Sequence, residues 1–216
     1  MKEIIRANLS FFIPYFIFIG AGAILIAINT KADTHLEFNS FHFTLLDTFF
    51  TYFTYFGDGY TATIVVIMLL TVRFRYALFV ASSNLIAGII TQLLKHTVFS
   101  DVVRPKKFFE GIHDLYLVPG VDNHLYNSFP SGHSTCAFSL YLALALLVKN
   151  KILKFAFFFI ALLAGYSRIY LSQHFFEDVY VGSIIGVSIT GIVFYYISLI
   201  NKGALDNSLI TVFKKQ

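Results

Sequence analysis

Long stretches without a single charged side chain constrain this chain more than any other feature. Residues 7–30, 59–72, 76–94, 123–148, 155–167 and 179–201 contain no Asp, Glu, Lys or Arg. A helix crossing the hydrocarbon of a bilayer needs about 20 apolar residues, with a range of roughly 17–25. Four stretches are long enough as they stand. The fifth becomes a full span if it runs from Ile152 to Leu171, with Arg168 in its last turn. The second is led into by the aromatic run Phe49–Phe56, lying at the interface. The whole chain is 57% apolar and 13% charged, against about 45–50% and about 25% in soluble domains. A disordered chain, a disulfide scaffold and an ordinary soluble enzyme are excluded. The pattern predicts an all-α, polytopic membrane protein: one domain over 1–216, a six-transmembrane-helix bundle. Its spans fall near 9–28, 56–72, 76–94, 131–148, 152–171 and 179–200, with a long connection at 95–130.

Charge sorting sets the expected orientation. Lys2, Arg6, Arg73, Arg75, Lys149, Lys151, Lys154, Lys202, Lys214 and Lys215 fall on one side; Lys31, Lys95, Arg104, Lys106, Lys107 and Arg168 fall on the other. The excess of Lys and Arg marks the cytoplasmic side, so both termini are expected in the cytoplasm and the 95–130 connection outside, in a cell (inner) membrane. The basic residues thus serve as topological anchors, which leaves a nucleic-acid partner nothing to explain and no obligate protein partner to infer. Ala21-Gly22-Ala23 resembles a signal-peptide cleavage site, but the apolar run continues through Ile28 and favours a retained span. A single cysteine, Cys136, permits no intrachain disulfide.

Ionisable residues in or beside spans are costly and mark function. Lys95, Arg104, His133, Arg168, His174 and Asp178 fit that description, and the topology places all six on the extracytoplasmic side. Three clusters hold them. Lys95 ends a stripe with Asn84, Gly88 and Gln92 on one helical face, pointing to a cavity, or else snorkels to the headgroups. Pro130-Ser131-Gly132-His133 opens a helix whose free N–H groups and dipole suit an anion, or is a plain capped start. Ser167-Arg168, then His174 and Asp178 one turn apart, lets a carboxylate orient an imidazole, or forms a structural pair. Gly182, Gly186 and Thr190 continue that face, and small residues let another helix approach closely.

Together these residues resemble the three-part signature of the type 2 phosphatidic acid phosphatase superfamily: Lys…Arg-Pro, Pro-Ser-Gly-His, Ser-Arg-x5-His-x3-Asp. The resemblance implies a metal-independent phosphatase without cofactor, acting on a lipid phosphate or pyrophosphate in the bilayer through a phosphohistidine. It makes His174 the nucleophile, Asp178 its orienting carboxylate and His133 the general acid and base. Lys95, Arg104, Arg168, Ser131 and Gly132 would bind the phosphoryl group. One spacing departs from the family: eight residues separate Lys95 from Arg104 where six are usual, and position 97 is Thr97. A bulge or loop at Phe99–Val103 must absorb the difference, or Lys106 or Lys107 takes the place of Lys95. Polyprenyl pyrophosphate, phosphatidylglycerophosphate, phosphatidic acid and lipid A phosphate are the implied substrates, with the loop 106–127 choosing among them. The compact size and short 168–178 connection point to a bacterial lipid phosphatase. Other readings are a phosphotransferase using the same phosphohistidine, a non-catalytic lipid-binding or transport protein, and a cation site formed by His113, Asp114, Asp122 and His124. The spacing of those four matches no standard ligand motif. His35, His42 and His96 carry no motif and read as loop or boundary residues.

Overall fold

A computed structural model describes residues 2–213; Lys214 and Lys215, expected as cytoplasmic anchors, lie outside the described residues. The helices in order are α1 (Lys2–Ala7), α2 (Leu9–Ile28), α3 (Lys31–Asn39), α4 (Thr44–Phe53), α5 (Gly59–Val72), α6 (Phe74–Leu93), α7 (Pro105–Phe108), α8 (Gly132–Leu147), α9 (Lys151–Tyr170), α10 (Phe176–Leu199) and α11 (Leu209–Phe213). Among the described residues there is no strand.

Four helical stretches are long and apolar enough to cross a bilayer unaided: Leu9–Ile28, Phe74–Val98, Lys151–Tyr170 and Phe176–Leu199. A fifth exists only as a broken element. The aromatic run forms α4 and a short 3-10 turn, Thr54–Gly57, and the axis bends by 52° before α5. Asp58 starts α5 by accepting the Tyr60 N–H. At 14 residues α5 is about 21 Å long, too short for the ~30 Å hydrocarbon core by itself. α8 has 16 residues, about 24 Å. The expected count of six therefore rests on two elements that are not simple spans.

α8 tolerates its shortness because protein surrounds it. It packs on α6, α9 and α10, and Phe138, Leu140, Leu142 and Ala143 are wholly buried. The small-residue stripe of α10 permits this: a Cβ on Gly186 would stand 2.5 Å from the Thr135 carbonyl oxygen, and one on Gly182 2.7 Å from that of Ser131. Farther along, Thr190 Oγ1 donates to Ser139 Oγ at 2.9 Å. The outer faces are apolar instead, with Ile17, Ile24 and Ile28 on α2 and Leu85, Ile89 and Leu93 on α6 all exposed. Apolar residues turned outward on long uncharged helices have lipid as their solvent, so the chain is a membrane protein.

Between Lys95 and Arg104 the chain does not continue as a plain helix. α6 widens into a π-turn at Leu94–Val98, then bends through Phe99–Val103. A π-turn takes up an extra residue without ending the helix, and with the bend after it Lys95 and Arg104 line the same cavity.

Candidate active site

The three clusters meet at one large cavity of about 1380 Å³, lined by Lys95, Arg104, Gly132, His133, Arg168 and His174 among others. The nucleophile candidate reaches it through a tight turn. α9 ends in a Schellman motif, with Gln173 N–H bonding to Arg168 O at 2.9 Å and Ser172 N–H to Ile169 O at 2.9 Å. Ser172 holds the left-handed position of that motif, φ 52°, where glycine is usual. His174 follows, 2% exposed. Its Nδ1 lies 3.1 Å from Asp178 Oδ2, which leaves Nε2 for the cavity. Burial, reinforced by Arg104, Arg168 and Lys95, pushes the His174 imidazole well below its ordinary range, so it stands neutral with a free lone pair.

Asp178 does not line the cavity. Its Oδ2 also accepts from Ser128 Oγ at 2.5 Å and from the Phe175 N–H at 3.0 Å, which holds that oxygen in place beside the imidazole. Its backbone carbonyl accepts the Ser131 N–H at 3.0 Å, tying the start of α8 to that of α10. Ser131 is wholly buried and caps α8: its Oγ accepts from Ser134 N–H at 3.4 Å and from Ser134 Oγ at 2.9 Å. Its side chain thus serves the helix start rather than the cavity. The peptide before Pro130 is cis. Helix starts leave their first N–H groups without intrahelical partners, and Gly132 and His133, the first two residues of α8, are both on the cavity wall.

The cations differ in what they offer. Arg168 Nη1 donates to Thr54 Oγ1 at 2.7 Å, while its buried Nε has no partner among the described residues. Arg104 spends most of its donors on the protein: Nε on Tyr126 O (2.9 Å), Nη1 on Gln173 O and Oε1 (3.1 and 3.3 Å), and Nη2 on Asn127 O (3.4 Å). With five N–H donors in a guanidinium, one is left for a ligand, so Arg104 supplies charge and clamps the His174 turn. Burial lowers its pKa from the ordinary value. Lys95 is 6% exposed and lines the cavity. Lys106 is exposed instead, and Lys107 pairs with Glu110. Among the described residues none of Lys95, Arg104 and Arg168 forms an ion pair. Buried cations without a carboxylate partner are costly, and an anion in the cavity resolves that cost.

The four residues of the alternative cation site separate. His113 and Asp114 line a smaller cavity of about 280 Å³, whereas Asp122 and His124 face the large one. Among the described residues no group of three or more His, Cys, Asp or Glu side chains is placed to hold a metal ion. Sequence reasoning missed Ser128, Thr54 and Gln173, which hold Asp178, Arg168 and Arg104. Each is a single polar residue without periodic or motif context, and only the adjacency of Gln173 to His174 hinted at one of them.

A neutral imidazole paired with a carboxylate, a second imidazole at a helix start and three cations without an ion pair among the described residues thus stand together, a set suited to an anion. A sequence model of the PAP2 superfamily matches residues 76–202, more than half of the chain. The chain belongs to that superfamily and is a phosphatase by class. Two solved structures share its architecture. Aquifex aeolicus LpxE superposes with a TM-score of 0.68 at 29% identity, covering 76% of this chain and 94% of its own. The first transmembrane PAP2 type phosphatidylglycerolphosphate phosphatase from Bacillus subtilis gives 0.64 at 23% identity, covering 90% and 98%. Comparison with curated proteins gives no match.

Proposed function

We propose that this enzyme hydrolyses a lipid phosphate or diphosphate monoester through a covalent phosphohistidine, without a metal, at the outer face of the membrane. One observation carries the reading. Lys95, Arg104 and Arg168, unpaired among the described residues, share a single cavity with His133 and with the neutral imidazole of His174.

Phosphoryl transfer spreads negative charge over the equatorial oxygens, so catalysis is largely positioning and electrostatics. Lys95, Arg168 Nε and the N–H groups of Gly132 and His133 bind those oxygens, and Arg104 adds charge. His174 Nε2 attacks phosphorus in line; the P–O bond to the lipid breaks as the P–N bond forms. Asp178 accepts the hydrogen bond from Nδ1–H and, staying ionised, stabilises the imidazolium that forms as Nε2 bonds to phosphorus. His133 gives its proton to the leaving oxygen, then takes one from the water that attacks phosphorus and frees phosphate from His174.

The cavity extends from this centre along α5 and α6, where Ala62, Val66, Ile67, Leu85 and Ile89 line it, which suits a substrate with a lipid chain. The Bacillus subtilis neighbour is a phosphatidylglycerolphosphate phosphatase, so that lipid belongs in the test panel beside polyprenyl pyrophosphate, phosphatidic acid and lipid A phosphate. Purified wild type releases phosphate from at least one of them. His174→Ala loses at least about 10³ of that rate, beyond the 10²–10³ typical of one lost electrostatic donor. Near-normal turnover by His174→Ala overturns the mechanism, and activity lost reversibly to a chelator overturns its metal-free part.

The outer-face placement is supported by the Lys and Arg imbalance. A cysteine introduced at Ile112, which is 73% exposed, should react with a membrane-impermeant thiol reagent in intact cells. Protection in intact cells with labelling after lysis places the loop inside.

A further inference from the structure

Behind the turn that carries His174 lies a second set of polar groups that the proposed reaction does not use. Ser172 is buried, and its left-handed backbone carries a Cβ. Such a conformation persists only where the surroundings over-determine it. Two side chains of α3 meet its hydroxyl: Asn39 Nδ2 donates to Ser172 Oγ at 3.1 Å, and His35 Nε2 pairs with the same oxygen at 3.2 Å. Asn39 is itself fixed, since its amide donates to Tyr116 O at 2.8 Å and accepts from Tyr116 N–H at 2.9 Å. The His35 ring is 1% exposed and packs edge-on against Phe175, the residue after His174, with centroids 5.2 Å apart.

These contacts form one stripe. Lys31, His35 and Asn39 recur every fourth residue, so they share a face of α3, and Lys31 Nζ stands 5.1 Å from the Phe175 ring centroid. On its other side the turn is held by Gln173, which Arg104 grips and whose Nε2 donates to Asp122 O at 2.8 Å and Asn123 Oδ1 at 2.6 Å. Neither His35 nor Asn39 lines the cavity. Both precede residue 76, where the family match begins.

We infer that His35 and Asn39 are positioning residues, which act through Ser172 Oγ to aim His174 Nε2 along the line of attack. The inference rests on His174 being the nucleophile. In-line transfer needs the reacting atoms about 3–3.5 Å apart and aligned, and a displacement of ~1 Å can cost 10²-fold in rate. Ser172 is two residues from His174 along the chain, so a change in its φ swings the imidazole while the phosphate-binding groups stay in place. The loss therefore falls on the chemical step and not on binding.

The test uses the full chain in detergent with the lipid of the panel that it hydrolyses fastest. Phosphohistidine formation is followed in single turnovers, beside KM and thermal unfolding. His35→Phe keeps an aromatic ring but loses both nitrogens; Ser172→Ala loses the hydroxyl; His35→Gln restores a polar partner. His35→Phe and Ser172→Ala are each expected to slow phosphohistidine formation about tenfold or more, with KM unchanged in folded protein. The double variant should be no slower than the worse single one, because both remove the same contact, and His35→Gln should recover most of the rate. A wild-type rate in folded His35→Phe, additive losses, or a fall that only tracks the unfolded fraction overturns the inference. A wild type that forms no phosphohistidine instead overturns the nucleophile reading beneath it, and is seen before any variant is compared.

Discussion

His174 and His35 flank one turn, and burial keeps both rings uncharged, which ties chemistry and stability to the same pH range. A neutral His174 keeps the lone pair that the proposed attack needs on the acid side of pH 6.5, where a free imidazole is mostly protonated. His35 has a measurable counterpart in stability. Burial, against the opposing pull of Asp178, lowers its pKa from 6.5 to about 4. Below pH 6.5 the unfolded chain binds a proton that the native state refuses until about pH 4, so stability is lost across that window. At 1.36 kcal/mol per unit the loss totals about 3 kcal/mol. Thermal unfolding between pH 6.5 and 4 should therefore fall less steeply for His35→Phe than for wild type; equal slopes would contradict a neutral, buried His35. At this scale the sequence exposed residues that repeat a spacing. His174 and Asp178 stand one turn apart, and Arg168 fits a motif. It hid Ser128, Thr54, Asn39 and Ser172, whose partners are 50 or more residues away along the chain and which no local pattern flags.

Among the elements, the α8–α10 contact is held by absent side chains as much as by present ones. A methyl group on Gly186 meets the Thr135 carbonyl at 2.5 Å and the Ser139 nitrogen at 2.9 Å, and backbone of a buried helix has little room to retreat. Gly186→Ala should destabilise by about 1–3 kcal/mol, as overpacking does. Gly191→Ala, on the same helix with nothing within 4 Å of its Cβ, should be neutral or slightly stabilising. Thermal melts of both variants decide, and equal effects would mean that the two helices are not in close packing. This contact was legible because Gly182, Gly186 and Thr190 fall on one face. The bend at Asp58, the π-turn at Leu94–Val98 and the left-handed Ser172 were not legible in form. Aromatic runs suit helix and interface alike, and serine does not announce a position that glycine normally fills.

Across the whole molecule, the scarcity of charge was sufficient to identify a membrane-embedded helical protein. It could not separate a simple span from a bent pair or from a short helix shielded by neighbours, because hydropathy reports solvent and not length across the bilayer. The Asn84, Gly88, Gln92 and Lys95 stripe does line the cavity, and Gly88 leaves space in it. A Cβ there meets nothing within 4 Å, so Gly88→Phe should fold normally while filling the channel along α5 and α6. Hydrolysis of the lipid substrate should drop at least tenfold, while that of a small water-soluble phosphate ester is spared. Equal losses on both would show that the chain of the lipid does not lie there.

That channel follows α6 from Leu93 back to Ala81, about 18 Å of helix, with Ile67 and Leu85 exposed at its margins. A substrate that keeps its tail among lipids while its phosphate reaches His174 need never be dissolved. The quantity that saturates such an enzyme is then the mole fraction of phosphorylated lipid in the two-dimensional phase. Diluting the substrate with inert lipid should slow the reaction, and adding buffer should leave it unchanged.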